Sequence, residues 1–169
     1  MSVLASLVVG ADGSTTFNQS SRALSTTGDR ERFLARRRLA DCILVGGNTA
    51  RNESYSRTPA PLVIISHSQP ELLAFNPIAQ WWNLGPEETI TRASKEFGQH
   101  IHCEGGANLL HHFLSLGLID TMELSVTSFV GGENAIDIQA ILQNFKTIER
   151  TKDADTTFYT CTQPIMLQK

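Results

Sequence analysis

Short runs of apolar, largely β-branched residues recur along the chain, and each stops abruptly at a small or polar turn. Val3 to Val9 runs into Gly10-Ala11-Asp12-Gly13, Cys42 to Val45 into Gly46-Gly47-Asn48-Thr49, and Leu62 to Ile65 into Ser66-His67-Ser68. Runs this short and this uniformly apolar suit strands buried on both faces, the situation in a parallel sheet covered by helices on its two sides. The stretches between them supply those helices. Thr26-Thr27-Gly28-Asp29 has the form of a helix start, with Asp29 at the positive end of the dipole, and predicts a helix to about Ala40. Glu87 to Phe97 predicts a second, and from Ala107 a third carries Leu109, Leu110, Phe113, Leu114 and Leu116 on its apolar side before Gly117 stops it.

The pattern changes toward the C-terminus. Met122, Leu124 and Val126 alternate with Glu123, Ser125 and Thr127, which predicts a strand with one wetter face. Phe145 to Thr151 and Thr156 to Thr162 flank Asp153-Ala154-Asp155 as a terminal hairpin, and His100 to Cys103 forms a short strand leading into Glu104-Gly105-Gly106. The expected fold is therefore α/β: a mixed, mostly parallel sheet with an antiparallel C-terminal hairpin, in one domain over residues 1–169. Gln69 to Gly85, with Pro70, Pro77 and the pair Trp81-Trp82, shows no clear period and predicts no element; the tryptophans read as packing or a subunit contact.

Charge and cysteine usage narrow the function classes. A formal net charge of -3 argues against nucleic-acid binding driven by bulk electrostatics, although Arg30, Arg32, Arg36, Arg37 and Arg38 cluster locally. That cluster is either a solvated helix face or an edge that meets an anionic substrate. Cys42, Cys103 and Cys161 are odd in number and set in apolar or strand-like segments, which suits buried thiols in a reducing cytosol. The N-terminal apolar run ends at Gly10, too short to span a membrane, so a cytoplasmic protein is expected. His100, His102, Cys103, His111 and His112 invite a metal reading. Strand alternation sends Cys103 to the face opposite His100 and His102, and adjacent helical histidines diverge, so no metal is expected.

The strongest local signal is Glu104-Gly105-Gly106-Ala107-Asn108, a strand that turns directly into a helix. Small residues let a ligand approach the backbone, and the free N–H groups at a helix start favour an anion such as a diphosphate. Alone, the segment reads equally well as a tight turn. Two sister turns, at 46–49 and 66–68, raise the expectation, because ligands of open α/β sheets lie beyond the carboxyl ends of the strands. None of them is the Gly-x-Gly-x-x-Gly dinucleotide fingerprint.

Ala11-Asp12-Gly13, Thr27-Gly28 followed by Arg32, the segment from Ala40 through Gly46-Gly47-Asn48-Thr49-Ala50-Arg51-Asn52-Glu53, Cys103 to Leu109, and Gly117 to Ser125 together resemble, in order and spacing, the pyrimidine reductase (C-terminal) domain of bifunctional riboflavin-biosynthesis enzymes. The resemblance implies a dihydrofolate-reductase-like three-layer fold, NADPH as cofactor and a homodimer formed through the sheet edge. It implies a reaction in which the ribosyl group of 5-amino-6-(5-phosphoribosylamino)uracil is opened and reduced to a ribityl chain. Carried over, Gly46, Asn48 and Thr49 lie beside the cofactor, Gly105, Gly106, Ala107, Asn108 and Leu109 surround its diphosphate, and Ser66 and His67 meet the adenosine ribose or its 2'-phosphate. His67 is otherwise an exposed turn residue. Asp12 and Glu104 are the implied catalytic carboxylates, with Asp12 alternatively shaping its own turn, and Thr27, Arg32, Arg51 and Glu53 are substrate-side candidates.

The chain departs from the family pattern in three places. Ser6 stands where the family often has a lysine, Ser25-Thr26 stand where an aromatic is common, and the middle is short enough to predict a reduced or missing helix and strand between Ser68 and His100. The deaminase pattern of His-x-Glu followed by Cys-x-x-Cys is missing, so no bifunctional enzyme is expected. The alternatives on the same scaffold are a dihydrofolate or pterin reductase and a catalytically degenerate NADP-binding subunit.

Overall fold

The computed structural model of the protein describes residues 1–165. Strand β1 (Ser2–Val9) leads through a long loop to helix α1 (Thr27–Arg37), and β2 (Cys42–Gly46) to a short α2 (Gly47–Asn52). Strands β3 (Leu62–Ile65) and β4 (Ala79–Trp82) follow, then α3 (Pro86–Glu96), β5 (His100–Cys103), α4 (Ala107–Ser115), β6 (Thr121–Val126), α5 (Ile138–Leu142), β7 (Phe145–Asp153) and β8 (Thr156–Pro164). The strands lie in the order β4-β3-β2-β5-β1-β6-β8-β7. Neighbours from β4 to β6 are parallel, and β8 and β7 close the sheet antiparallel. This is the mixed sheet with a C-terminal hairpin that the patterning predicts.

Helix α1 starts where expected, Thr26 accepting the N–H of Asp29, and ends at Arg37, three residues before Ala40. Four elements were not legible, the first being α2, which occupies what reads as a polar turn after β2. The stretch after Ser68 contains a 3-10 turn at Glu71–Ala74 and the edge strand β4, and Asp137 caps the five-residue α5 by accepting from Gln139 and Ala140. The middle of the chain therefore keeps the expected α3, while the crossover from β3 to the four-residue β4 is reduced to that single 3-10 turn. Its tryptophans pack: Trp82 is buried and stacks on Phe97, and Trp81 Nε1 donates to the carbonyl of Ser66 at 2.9 Å.

Helices cover the two faces of the sheet. On one, Val3, Ala5, Leu44, Val63, Ile101, Cys103, Met122 and Leu124 pack with residues of α3, α4 and α5 around Phe113. On the other, Ile43, Val45, Leu62 and Ile64 pack with Ala50 and Tyr55, while α1 crosses the central strands. All three cysteines are buried free thiols.

Candidate active site

Strands β2 and β5 are neighbours whose continuations part company: β2 leads through α2 to β3, and β5 through α4 to β6 on the other side. Such a divergence opens a crevice at the carboxyl ends of the strands. Backbone bonds pin its rim, Gly46 N donating to Gly105 O at 2.8 Å and Glu104 N to Leu44 O at 2.9 Å. Gly105 has φ +86°, a conformation that favours glycine, and the Gly105–Gly106 peptide is cis. A Cβ on Gly106 would lie 2.7 Å from Thr49 Oγ1. At Gly106 the two turns thus meet too closely for a side chain, and no side chain caps the first N–H groups of α4. They form an uncapped, backbone-lined cradle at the positive end of a nine-residue helix, suited to a diphosphate.

The cleft over this cradle has a volume of about 1530 Å³. A single small-molecule site is roughly 300–1,000 Å³, so the cleft has room for a cofactor and a substrate together. Gly46, Asn48, Thr49, Ser66, His67, Gly106, Ala107, Asn108 and Leu109 share one wall, with Gly105 behind them shaping the turn. Thr27, Arg51 and Glu53 also line the cleft, and Glu104 lies at its floor. Arg51 is tied to Asn48 by a short hydrogen bond. Glu53 fastens a loop to the end of α2 by accepting from Ser21 N at 2.6 Å and Ser20 Oγ at 3.2 Å.

Two candidates lie apart from the cleft lining. Asp12 is spent on its own turn: Oδ1 accepts from Ser14 N and Oγ, Oδ2 accepts from Gly131 N at 2.7 Å, and these bonds hold its carboxyl down at about 2. This geometry matches the turn-shaping alternative. Arg32 lays its guanidinium 3.8 Å over the ring of Phe158. The arginine cluster divides residue by residue: Arg36 pairs with Glu123 at 2.7 Å, Arg37 points to Glu104, and Arg30 remains on the cleft wall beside Phe33.

Beneath α1 the floor is a buried polar network. Arg37 clamps Glu104 with a two-pronged bond, Nε to Oε1 at 2.6 Å and Nη2 to Oε2 at 2.7 Å, and Tyr55 donates its hydroxyl to Oε2 at 2.8 Å. Burial pushes the Glu104 carboxyl up, and Arg37 and Tyr55 pull against that rise. Burial works against the Arg37 charge as well, but Glu104 outweighs it and holds the guanidinium protonated. His102 Nε2 meets Ser6 Oγ at 2.8 Å, and its Nδ1 sits 3.4 Å from Glu104 Oε1 without a hydrogen bond. Burial and the charges of Arg36 and Arg37 hold His102 down at about 3, so it is neutral at pH 7. Sequence reasoning missed Arg37, Tyr55 and His102 as parts of this floor. The available signal was the spacing of Phe33 and Arg37, four apart and so on one helix face. Among the described residues, no cluster of three or more His, Cys, Asp or Glu could hold a metal ion, and no helix is long and apolar enough to cross a membrane.

Residues 1–159 match the RibD C-terminal domain family. Among solved structures, RibD of Acinetobacter baumannii aligns with a TM-score of 0.72 at 17% identity, covering 98% of this chain and 58% of that one. A diaminohydroxyphosphoribosylaminopyrimidine deaminase/5-amino-6-(5-phosphoribosylamino)uracil reductase of Thermotoga maritima aligns at 0.70 and 12% identity, covering 97% and 56%. A pyrimidine reductase-like protein of Corynebacterium diphtheriae aligns at 0.69 and 17% identity, covering 97% and 92%. The chain thus spans a little over half the length of the first two and nearly all of the third, and at these identities the likeness establishes the dihydrofolate-reductase-like fold. No curated protein sequence matches the chain.

Proposed function

The chain belongs to the RibD C-terminal domain family, a family of riboflavin-pathway reductases, and from that premise we propose that it is an NADPH-dependent reductase of 5-amino-6-(5-phosphoribosylamino)uracil, converting the ribosyl group to a ribityl chain. The observation that carries this reading is the uncapped start of α4 at the divergence of β2 and β5, beside a cleft with room for two reactants. When bound, the cofactor supplies the hydride.

The chain's own residues hold and orient. The N–H groups at the start of α4 take the diphosphate, Gly106 keeps that surface open, and Asn48 and Thr49 flank it. Ser66 and His67 meet the adenosine end. Glu104 lies under the reacting carbon of the sugar. Arg37 and Tyr55 fill three of roughly four acceptor positions on its carboxylate, and from beneath the floor its charge favours a cationic imine in the cleft. Arg22 and Arg30, on the same wall as Thr27, suit the substrate phosphate.

Titration with NADPH and NADH, followed by product analysis after incubation with the phosphoribosylaminouracil, tests the proposal. Tighter NADPH binding and a ribityl product support it; absence of nicotinamide nucleotide binding removes its foundation. Gly106→Val should weaken NADPH binding sharply through the contact with Thr49. One observation favours the degenerate NADP-binding subunit instead: the Glu104 side chain is 0% exposed. That reading predicts NADPH binding without turnover.

A further inference from the structure

Glu104 is held from several sides. Arg37 reaches it from α1, Tyr55 from the segment after α2, and His102 lies beside it on β5. Arg37 is itself fixed, its guanidinium 4.9 Å from the Phe33 ring centroid and 5.1 Å from that of Tyr55. Replacing a buried ion pair with apolar residues is often neutral or stabilising, so such a pair is a poor means of attaching a helix. A fork that meets both carboxylate oxygens, however, does something an apolar contact cannot. Both oxygens of Glu104 accept an N–H of the Arg37 fork, and such charge-assisted bonds are stronger to a carboxylate than to a neutral acid, so the fork favours the ionised form.

We propose that Arg37 is a positioning residue that fixes Glu104 as an ionised acceptor in one orientation, so that Glu104 serves the reaction as an anion and not as a proton donor. This rests on the reading of Glu104 as the group beneath the substrate. The other charged and titratable groups near it do not take over Arg37's task. Arg36 is engaged by Glu123, His102 is neutral, Arg30 lies toward the cleft wall, and the Tyr55 phenol is held well above its ordinary value by burial. Burial already raises the Glu104 carboxyl, and loss of Arg37 removes the strongest contacts opposing that rise, so the carboxyl would move further up.

The test compares the full-length wild type with Arg37→Gln, which removes the charge, Arg37→Lys, which keeps the charge but not the fork, and Glu104→Gln. Two readouts are followed: the pH profile of kcat with NADPH and the phosphoribosylaminouracil, and the carboxyl titration of Glu104 by carbon-13 NMR in the protein without ligands, assigned by its loss in Glu104→Gln. Arg37→Gln should raise both the acid limb of kcat and the Glu104 titration by about one to three pH units, with NADPH affinity retained. Arg37→Lys should leave both near wild type while lowering kcat, because an ammonium cannot grip both oxygens. A folded Arg37→Gln variant with an unmoved Glu104 titration overturns the proposal. If Arg37→Gln does not fold, Arg37→Lys decides alone, and wild-type kcat in it overturns the positioning role. If Glu104→Gln turns over like wild type, the reading of Glu104 fails, while the NMR titration still decides whether Arg37 sets its charge.

Discussion

The central strands present two unlike faces. Along β1, β5 and β6, Val3, Ala5, Ile101, Cys103, Met122 and Leu124 meet Leu110, Phe113 and Leu114 near or on α4 in an apolar core. One residue away along the same strands, Ser6, His102 and Glu123, with Glu104 just past β5, face the underside of α1. The two helices mirror this: α4 buries three apolar residues, whereas the buried residues of α1 are Asp29 and Arg37. Non-directional burial holds one face and directional polar contacts hold the other. Directional contacts suit the second face to the role proposed for it, the floor that orients a substrate.

The largest effects should come from breaking either face at its centre, for opposite reasons. Phe113→Ala opens a cavity at a fully buried site and should cost about 3–5 kcal/mol. Arg37→Met strands a buried carboxylate and should also cost about 3–5 kcal/mol, both read from denaturant melts. The double variant Arg37→Met/Glu104→Leu separates the two cases: it should recover most of the lost stability without recovering turnover. Recovery of both would make the polar face structural.

Next in size is Tyr55→Phe, which deletes one hydrogen bond to a charged group and should cost about 1.5–3 kcal/mol, with kcat falling more than NADPH affinity. Its effect should shrink when Glu104 is already Leu.

The pH dependence of stability addresses the same face. His102 takes up a proton near 6.5 when unfolded but only at about 3 when folded. Between those values the unfolded chain binds the extra proton, so the stabilising contribution is complete above 6.5 and is lost as pH falls toward 3. The slope should be about 1.4 kcal/mol per pH unit. Thermal melts of His102→Gln should show a flatter acid side, and an unchanged slope would assign the acid sensitivity to other groups. The smallest effect belongs to the surface: Glu96→Gln breaks an exposed i,i+4 pair with Arg92 and should cost about 0.3–0.5 kcal/mol, leaving turnover alone.

The comparison also explains what could be read from the sequence. Apolar runs, glycine turns and the capping residues Thr26 and Gly117 are local signals, and they locate β1, β2, β3, β5, α1 and α4 to within a few residues. Strand β4 was hidden because it is four residues long, follows Pro77 and carries tryptophans that pack on partners outside its own period. The cradle at 104–109 was visible because it is one continuous segment. The floor was not: Arg37 and Glu104 are 67 residues apart, and nothing in either neighbourhood names the other. Asp12 shows the same limit, since the donor that occupies its second oxygen is Gly131, 119 residues away.

Turnover by Glu104→Gln compared with wild type, measured as NADPH oxidation with 5-amino-6-(5-phosphoribosylamino)uracil alongside NADPH affinity, decides whether the polar face is the reaction floor. The proposed chemistry predicts that wild type consumes NADPH and forms the ribityl product, while Glu104→Gln binds NADPH equally well and loses about 10²–10³ in kcat. Wild-type turnover by a folded Glu104→Gln variant would contradict the assignment of the polar face as the reaction floor.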